Sequence, residues 1–302
     1  MLEVIQKEKT NLRMTLSVFR RFFTLLFTKG PMTTTRLAAA FLARVFRTKP
    51  TSLNQLRVEL GARLEYQLGG RLVQYGPFKG MRLSQGSTWT RAELPSMLLG
   101  MYEKEVVQAL VKLSRRKGGT FVNVGAGDGY YAIGALFSGL FSRTVCFEMS
   151  PSSRDVIIDT AELNDVGASL DVFGLADKSF IDKIETVKEF VFENSVFLFD
   201  IEGSEIELID SWALERMAEA TLVIETHSTF VAKEEQDRFE VLCHKFHNVS
   251  EINTQERNPG AYPELVQWSD DERWAVCSEG RPERGRWLVL SPKHELLADR
   301  RS

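Results

Sequence analysis

The stretch from Thr120 to Ile133 constrains the fold of this chain more than any other. It contains a short apolar strand, Phe121 to Val124, a turn in which every second residue from 125 to 129 is glycine, and a helix that begins near Tyr130. Glycine allows positive φ and lets the backbone lie against a ligand with no Cβ in between. The helix N-terminus presents free N–H groups at the same place. This order predicts an α/β domain that binds a nucleoside cofactor.

A carboxylate follows at the distance expected for the end of a second strand. The apolar run Thr144–Phe147 ends in Glu148, nineteen residues after Gly129. A carboxylate at that position can accept hydrogen bonds from both hydroxyls of a ribose. The dinucleotide fingerprint would place its third glycine at residue 130, where this chain has tyrosine. A nicotinamide dehydrogenase is therefore the disfavoured alternative.

Three further apolar runs predict the remaining parallel strands. They cover Leu170–Ala176, Ser195–Phe199 and Thr221–Ile224, and polar residues follow each of them. The continuous apolar character of the middle run suits a parallel strand that is buried on both faces. Because parallel strands end at one edge, the polar groups after them should converge there. We predict a doubly wound, mostly parallel Rossmann-like sheet with its ligands at that edge.

The other elements are predicted from helical spacing and from turn residues. One helix is expected from about Pro95 to Leu113 and another over residues 204–220. The runs Arg273–Cys277 and Arg286–Leu290 are interpreted as late strands of the sheet. Proline, glycine and acidic residues between Thr254 and Asp271 predict a loop over the ligand edge.

The first fifty residues differ in composition from the rest. They carry ten Lys/Arg against two Glu, although the chain of 302 residues has a net charge of −3. Apolar residues at helical spacing predict basic amphipathic helices. Arginines interrupt these segments so often that the uncharged runs are too short to span a bilayer. Packing on the domain, a homodimer contact and peripheral membrane contact stay open. We divide the chain into this helical extension (1–66), a hairpin and helix (67–118) and a cofactor-binding domain (119–295).

Charge and cysteine usage limit the partners and the compartment. No global charge bias points to nucleic acid, so no nucleic-acid partner is expected. Cys146, Cys243 and Cys277 lie far apart in apolar or amphipathic runs, as reduced core thiols do. This pattern predicts a cytoplasmic protein, with membrane association through the N-terminal helices left open.

Several segments together resemble the FkbM-like family of class I S-adenosylmethionine (SAM) methyltransferases. The glycine turn is spaced like motif I of that class, and the likeness runs from about residue 75 to residue 292. Its most specific part is the Asp-Ile-Glu-Gly-Ser-Glu run at 200–205. Two positions depart from the family pattern, Asn123 in place of the commoner acidic residue and Leu198 where a lysine is frequent. The segments that carry the resemblance are Tyr75–Met81, Leu99–Glu103, Asn123–Tyr130, Phe147–Glu148, Phe199–Glu205 and Ile224–His227.

The resemblance implies a SAM-dependent enzyme that methylates a hydroxyl of a sugar, a glycan or a natural product. A SAM-binding regulatory or partner subunit without catalysis is the alternative. The residues that it implies for cofactor binding are Asn123, Gly125, Ala126, Gly127, Asp128, Gly129, Tyr130, Glu148, Met149, Ala176, Asp177 and Asp200.

Transfer of a methyl group to an aliphatic hydroxyl requires a group that removes the proton. His227 is the first candidate for this base, because neutral imidazole suits near-neutral pH and the residue follows a predicted strand. Asp200 is the second candidate for the base, with Glu202 as the residue that orients it. Asp200, Glu202 and Glu225 could instead offer oxygen ligands to Mg²⁺. Clustered carboxylates equally bind ribose, ammonium or acceptor hydroxyls, so a metal is conceivable but not favoured.

Overall fold

The computed structural model describes residues 52–86, 91–114, 119–227, 231–281 and 284–293. The predicted N-terminal amphipathic helices lie outside the described residues, as does most of the extension assigned to residues 1–66. The strands are β1 (Thr120–Val124), β2 (Arg143–Phe147), β3 (Leu170–Phe173), β4 (Ser195–Phe199), β5 (Thr221–Thr226), β6 (His247–Asn253) and β7 (Arg286–Pro292).

These strands form one seven-stranded sheet of order β3-β2-β1-β4-β5-β7-β6. Neighbours among β1 to β5 pair in parallel, whereas β7 runs antiparallel between β5 and β6. The predicted doubly wound, mostly parallel sheet is confirmed. Dinucleotide-binding sheets have the order 3-2-1-4-5-6. The antiparallel strand between β5 and β6 therefore sets this sheet apart from the dehydrogenase arrangement.

Helices cover both faces of the sheet. One face packs against α3, α4 and α5, and the other against α6, α8 and α9, while α1, α2 and α10 form a separate apolar cluster. Within the described part of the chain, none of these helices is both long and apolar enough to cross a membrane. The helices are α1 (Leu53–Leu68), α2 (Leu94–Leu98), α3 (Lys104–Leu113), α4 (Tyr130–Phe137), α5 (Pro151–Leu163), α6 (Phe180–Glu185), α7 (Glu205–Leu208), α8 (Ser211–Arg216), α9 (Lys233–Phe246) and α10 (Asp270–Cys277).

The single helix predicted from Pro95 to Leu113 is wrong, because the segment forms α2 and α3 with a break between them. Gly100 lies in the break at φ +63°, and a Cβ there would overlap the backbone of Tyr75. Glu103 has φ +40° where α3 begins. Apolar residues continue at helical spacing across the break, so their pattern does not reveal it.

The helix predicted over 204–220 is also divided, into α7 and α8. Ile209 leaves the helical region with ψ 78°. Asp210 then starts a new helix, since its carboxylate accepts a hydrogen bond from the N–H of Ala213 at 3.0 Å. The third strand also ends earlier than predicted, at Phe173.

The strand predicted at Arg273–Cys277 is wrong, since these residues belong to α10. The Ser269 hydroxyl accepts from the N–H of Glu272 at 3.4 Å, and the Glu272 carboxylate accepts from the N–H of Ser269 at 3.0 Å. This capping box is visible in the sequence as Ser-x-x-Glu, and it specifies a helix start ahead of the apolar run.

The three cysteines are confirmed as free, buried thiols. Burial raises the pKa of Cys243 to about 12 and that of Cys277 to about 11. Both thiols therefore stay protonated and packed in apolar surroundings, which is the behaviour of core residues rather than of nucleophiles.

Candidate functional site

The glycine turn after β1 brings three strand ends together. Gly125 has φ +83° and lies directly against the backbone of Asp200 at the end of β4. The N–H groups of Gly125 and Ala126 donate to the carbonyl oxygen of Phe147 at 2.9 and 3.1 Å. The N–H of Asp200 donates to Val124 at 3.0 Å. Main-chain hydrogen bonds thus hold the ends of β1, β2 and β4 in one edge, as predicted.

Glu148 lies across this turn. One carboxylate oxygen accepts from the N–H of Gly127 at 2.8 Å, and the other accepts from the N–H of Ser150 at 2.8 Å. Each carboxylate oxygen has two acceptor positions, so both keep capacity for another donor. The structure therefore holds the predicted ribose acceptor rigidly beside the glycine turn.

Asn123 is a buried amide two residues before Gly125. It is 1 % exposed, and neither its Oδ1 nor its Nδ2 has a hydrogen-bond partner among the described residues. A buried polar group without a partner costs about 1–3 kcal/mol. Such a group near a ligand edge calls for an explanation, and an incoming polar ligand supplies one.

The remaining residues predicted to bind a cofactor lie at different depths. Met149 is exposed after β2, Ala176 is half-buried and Asp128 is half-buried in the glycine turn. Asp177 accepts hydrogen bonds from Ser179 and from Lys183, and these bonds lower the pKa of its carboxyl to about 2. Its role toward a cofactor stays a prediction.

Tyr130 contributes to the core at the start of α4. It is 6 % exposed, and its ring packs edge-to-face against Phe78 and Tyr102 at centroid distances of 5.3 and 5.6 Å. Burial raises its pKa strongly. Its observed contacts therefore fix the helix behind the glycine turn.

The predicted catalytic residues converge around His227, which follows β5. Its Nε2 lies 3.6 Å from an oxygen of Asp200, 3.6 Å from one of Glu202 and 3.5 Å from one of Glu225. Its Nδ1 lies 3.2 Å from Oε1 of Glu205. Four carboxylates, three from the segment after β4 and one from the last residues of β5, thus surround one imidazole.

Burial and mutual repulsion change the acid–base properties of this cluster. Desolvation, together with the nearby charges of Glu202 and Glu205, raises the pKa of Asp200 to about 6. Desolvation and the charge of Asp200 raise the pKa of Glu225. Burial alone would lower the pKa of His227, but Glu205 and the other carboxylates raise it overall. The cluster has an excess of negative charge, and it favours the binding of a proton or another cation.

A buried ion network lies behind Glu225, and sequence reasoning missed it. Arg281 forms ion pairs with Glu103, Glu225 and Glu279. Glu103 is fully buried, and the Tyr131 hydroxyl donates to its second oxygen. These groups lie far apart in the chain, so no local spacing indicated that they would meet.

No protein-family model matches the chain, and no curated protein sequence matches it. Membership of the FkbM-like branch therefore stays a prediction.

Solved methyltransferase structures are similar to this chain at low identity. A Bacillus cereus O-methyltransferase in complex with S-adenosylhomocysteine (SAH) is 14% identical, with 83% of this chain and 96% of that chain covered and a TM-score of 0.43. A putative precorrin-6Y C5,15-methyltransferase domain from Corynebacterium diphtheriae is 20% identical, with coverages of 63% and 97% and a TM-score of 0.40. A putative tRNA (m1A22) methyltransferase from Streptococcus pneumoniae, in complex with SAM, is 13% identical, with coverages of 61% and 72% and a TM-score of 0.40.

Proposed function

We propose that the protein is a SAM-dependent methyltransferase that acts on a hydroxyl of a sugar, a glycan or a natural product. The observation that carries the proposal is the position of Glu148 across the glycine turn, with its two oxygens held by the N–H groups of Gly127 and Ser150. Remaining acceptor capacity on both oxygens suits a pair of ribose hydroxyls.

The residues at the sheet edge fit the cofactor in three ways. Gly125 and Gly127 keep the turn free of side chains, and a Cβ on Gly127 would point into open space. The unpaired amide of Asn123 offers both a donor and an acceptor to the methionine end. Exposed Met149 provides apolar surface next to Glu148 for the adenine ring of the cofactor. When bound, SAM supplies a methyl group on a sulfonium sulfur, which leaves with the electron pair of the broken carbon–sulfur bond as SAH.

The chain must also orient the acceptor and receive its proton. Alignment of the acceptor oxygen with the methyl carbon accounts for much of such catalysis. Asp200, Glu202 and His227 lie together at the exits of β4 and β5, next to the glycine turn. We assign the binding of the hydroxyl and the removal of its proton to this cluster, where a positioned base contributes roughly 10²- to 10⁴-fold in rate.

Glu148→Ala tests whether Glu148 binds the ribose of the cofactor. Loss of two charge-assisted hydrogen bonds, each worth about 1.5–3 kcal/mol, should weaken SAH binding by about 100-fold or more. Isothermal titration calorimetry with SAH measures the change. The matched control is Glu162→Ala, an exposed carboxylate on α5, which should bind SAH like the wild type. If wild-type protein shows no heat with SAM or SAH, the proposed function is wrong. Binding of SAM without methyl transfer to any of a panel of hydroxyl acceptors would favour the non-catalytic subunit.

Asn123→Leu separates cofactor binding from stability. Leucine has a similar shape without unpaired polar atoms, so we expect the ligand-free protein to gain about 1–2 kcal/mol in free energy of unfolding. Affinity for SAH should fall in the same variant. Urea unfolding with and without SAH measures both quantities. A variant that is less stable without ligand would show that the amide already has partners in the free protein.

A further inference from the structure

We propose that Asp200, Glu202 and His227 bind one divalent metal ion of the Mg²⁺/Mn²⁺ class, with a preference for Mn²⁺. One ligand atom from each residue lies within 4.8 Å of the others. The inference rests on the proposed function only for the role of the ion, which would bind the acceptor hydroxyl and lower its pKa. The metal-binding step can be measured without any methyl transfer.

The spacing of the ligand atoms suits a shared ion. Nε2 of His227 is 3.6 Å from Oδ1 of Asp200 and 3.6 Å from Oε2 of Glu202. N–H···O hydrogen bonds in proteins are usually shorter than ~3.2 Å. Two atoms that bind one ion at ~2.1 Å lie roughly 3.0–3.5 Å apart for angles between 90° and 109°. Each of the two oxygens is therefore spaced from the ring nitrogen nearly as a second ligand of one ion would be.

Glu205 holds the imidazole in the orientation that metal binding requires. Its Oε1 lies 3.2 Å from Nδ1 of His227 and also accepts from the N–H of Ile201 at 2.8 Å. Glu205 is 3 % exposed, so this contact is fixed inside the protein. Histidines that bind a metal through one ring nitrogen almost always direct the other to a carboxylate or carbonyl. Glu205 is thus a positioning residue that leaves Nε2 directed at Asp200 and Glu202.

The charge of the cluster also favours a cation. Four carboxylates, those of Asp200, Glu202, Glu205 and Glu225, lie around one imidazole. The Arg281 guanidinium, which pairs with Glu225, is shared with two further carboxylates. Even with a charged imidazole and this arginine, negative charge remains in excess. Buried carboxylates require pairing or metal coordination, and a divalent ion supplies it.

The site is open on one side. Glu202 is 59 % exposed at its side chain, whereas those of Asp200 and His227 are 25 % and 10 % exposed. An ion can therefore reach the inner ligands past a surface carboxylate, and coordination positions remain for water or an acceptor oxygen. Carboxylate ligands suit Mg²⁺ and Mn²⁺, and a single imidazole shifts the preference toward Mn²⁺.

The test is a titration of EDTA-treated full-length protein with Mn²⁺, followed by electron paramagnetic resonance of the free ion. We expect one Mn²⁺ per chain, with Mg²⁺ competing at least about 10-fold more weakly. Glu202→Gln and His227→Gln should each lower Mn²⁺ affinity by at least about 10-fold, and Glu205→Gln by about 10-fold through loss of orientation. Matched controls are Glu207→Gln and His244→Gln, which change exposed residues and should leave binding unchanged.

Calorimetry with SAH on the same samples separates the two proposals. Heat with SAH but no Mn²⁺ binding by the wild type would overturn the metal site and leave the methyltransferase assignment standing. Mn²⁺ binding without SAH binding would do the opposite. Unchanged Mn²⁺ affinity in folded Glu202→Gln would show that the ion lies elsewhere. Because Glu202 is exposed, this variant should keep the wild-type circular dichroism spectrum and stay informative even if His227→Gln does not fold.

Discussion

Gly125→Ala is expected to lower the free energy of unfolding by more than about 4 kcal/mol, which is an exceptional effect for one methyl group. Residue 125 has φ +83°, and a Cβ there would overlap the carbonyl oxygen of Asp200 and crowd the side chain of Ile201. The backbone of Asp200 cannot easily retreat, because its N–H is bonded to Val124 at 3.0 Å. Relief would require β1 and β4 to separate at the ligand edge.

Gly127→Ala is the matched control for this prediction. Its φ is +53°, and a Cβ would meet no atom within 4 Å. Only the cost of the left-handed conformation remains, about 1–2 kcal/mol. Urea unfolding followed by circular dichroism measures both variants. Equal losses of stability would show that the close approach of the two strand ends does not exist in solution.

Arg281→Ala should cost about 3–5 kcal/mol of unfolding free energy, because it leaves buried carboxylates without their cation. Glu103 is fully buried and Glu225 is 4 % exposed, and both pair with this guanidinium. The loss should also disturb His227, whose Nε2 lies 3.5 Å from Glu225. Thermal and urea unfolding of the variant provide the measurement.

Arg216→Ala is the control for this second prediction. Arg216 pairs with Glu185, and both side chains are more than a third exposed, at 46 % and 35 %. Exposed ion pairs contribute about 0–1 kcal/mol, so little change is expected. Glu103→Gln added to Arg281→Ala should restore part of the lost stability by removing one unpaired charge. An Arg281→Ala variant as stable as Arg216→Ala would contradict the buried network.

Short-range sequence patterns were sufficient to predict the parts of the site that lie next to strand ends. The strand, the glycine turn and the start of the helix after Gly125 were predicted as they are observed, and so was the carboxylate after β2. The helix itself ends at Phe137, earlier than the predicted Phe141. Because parallel strands share one carboxyl edge, the positions of Asp200 and His227 followed from strand order alone. Their mutual distances did not follow, since these depend on loop conformations after the strands.

Errors arose where a local backbone conformation interrupts a continuing pattern. Gly100 interrupts the helix between α2 and α3, although the apolar spacing continues, because the backbone of Tyr75 packs against it. At Arg273–Cys277, the apolar run by itself predicts a strand, whereas the cap formed by Ser269 and Glu272 starts a helix. The first error needed knowledge of a distant contact. The second was avoidable, because the capping residues are neighbours in the sequence.

The amino-acid sequence by itself determined the α/β class, the ligand edge and the residues that line the glycine turn, since hydrophobic period and glycine spacing are local properties. Only the tertiary structure decided that Glu205 lies beside Nδ1 of His227 and that Arg281 joins Glu103 to Glu225. The reason is physical. Pairing of buried charges depends on which distant groups share a low-dielectric interior, and the chain reaches that arrangement only after its strands and helices have packed.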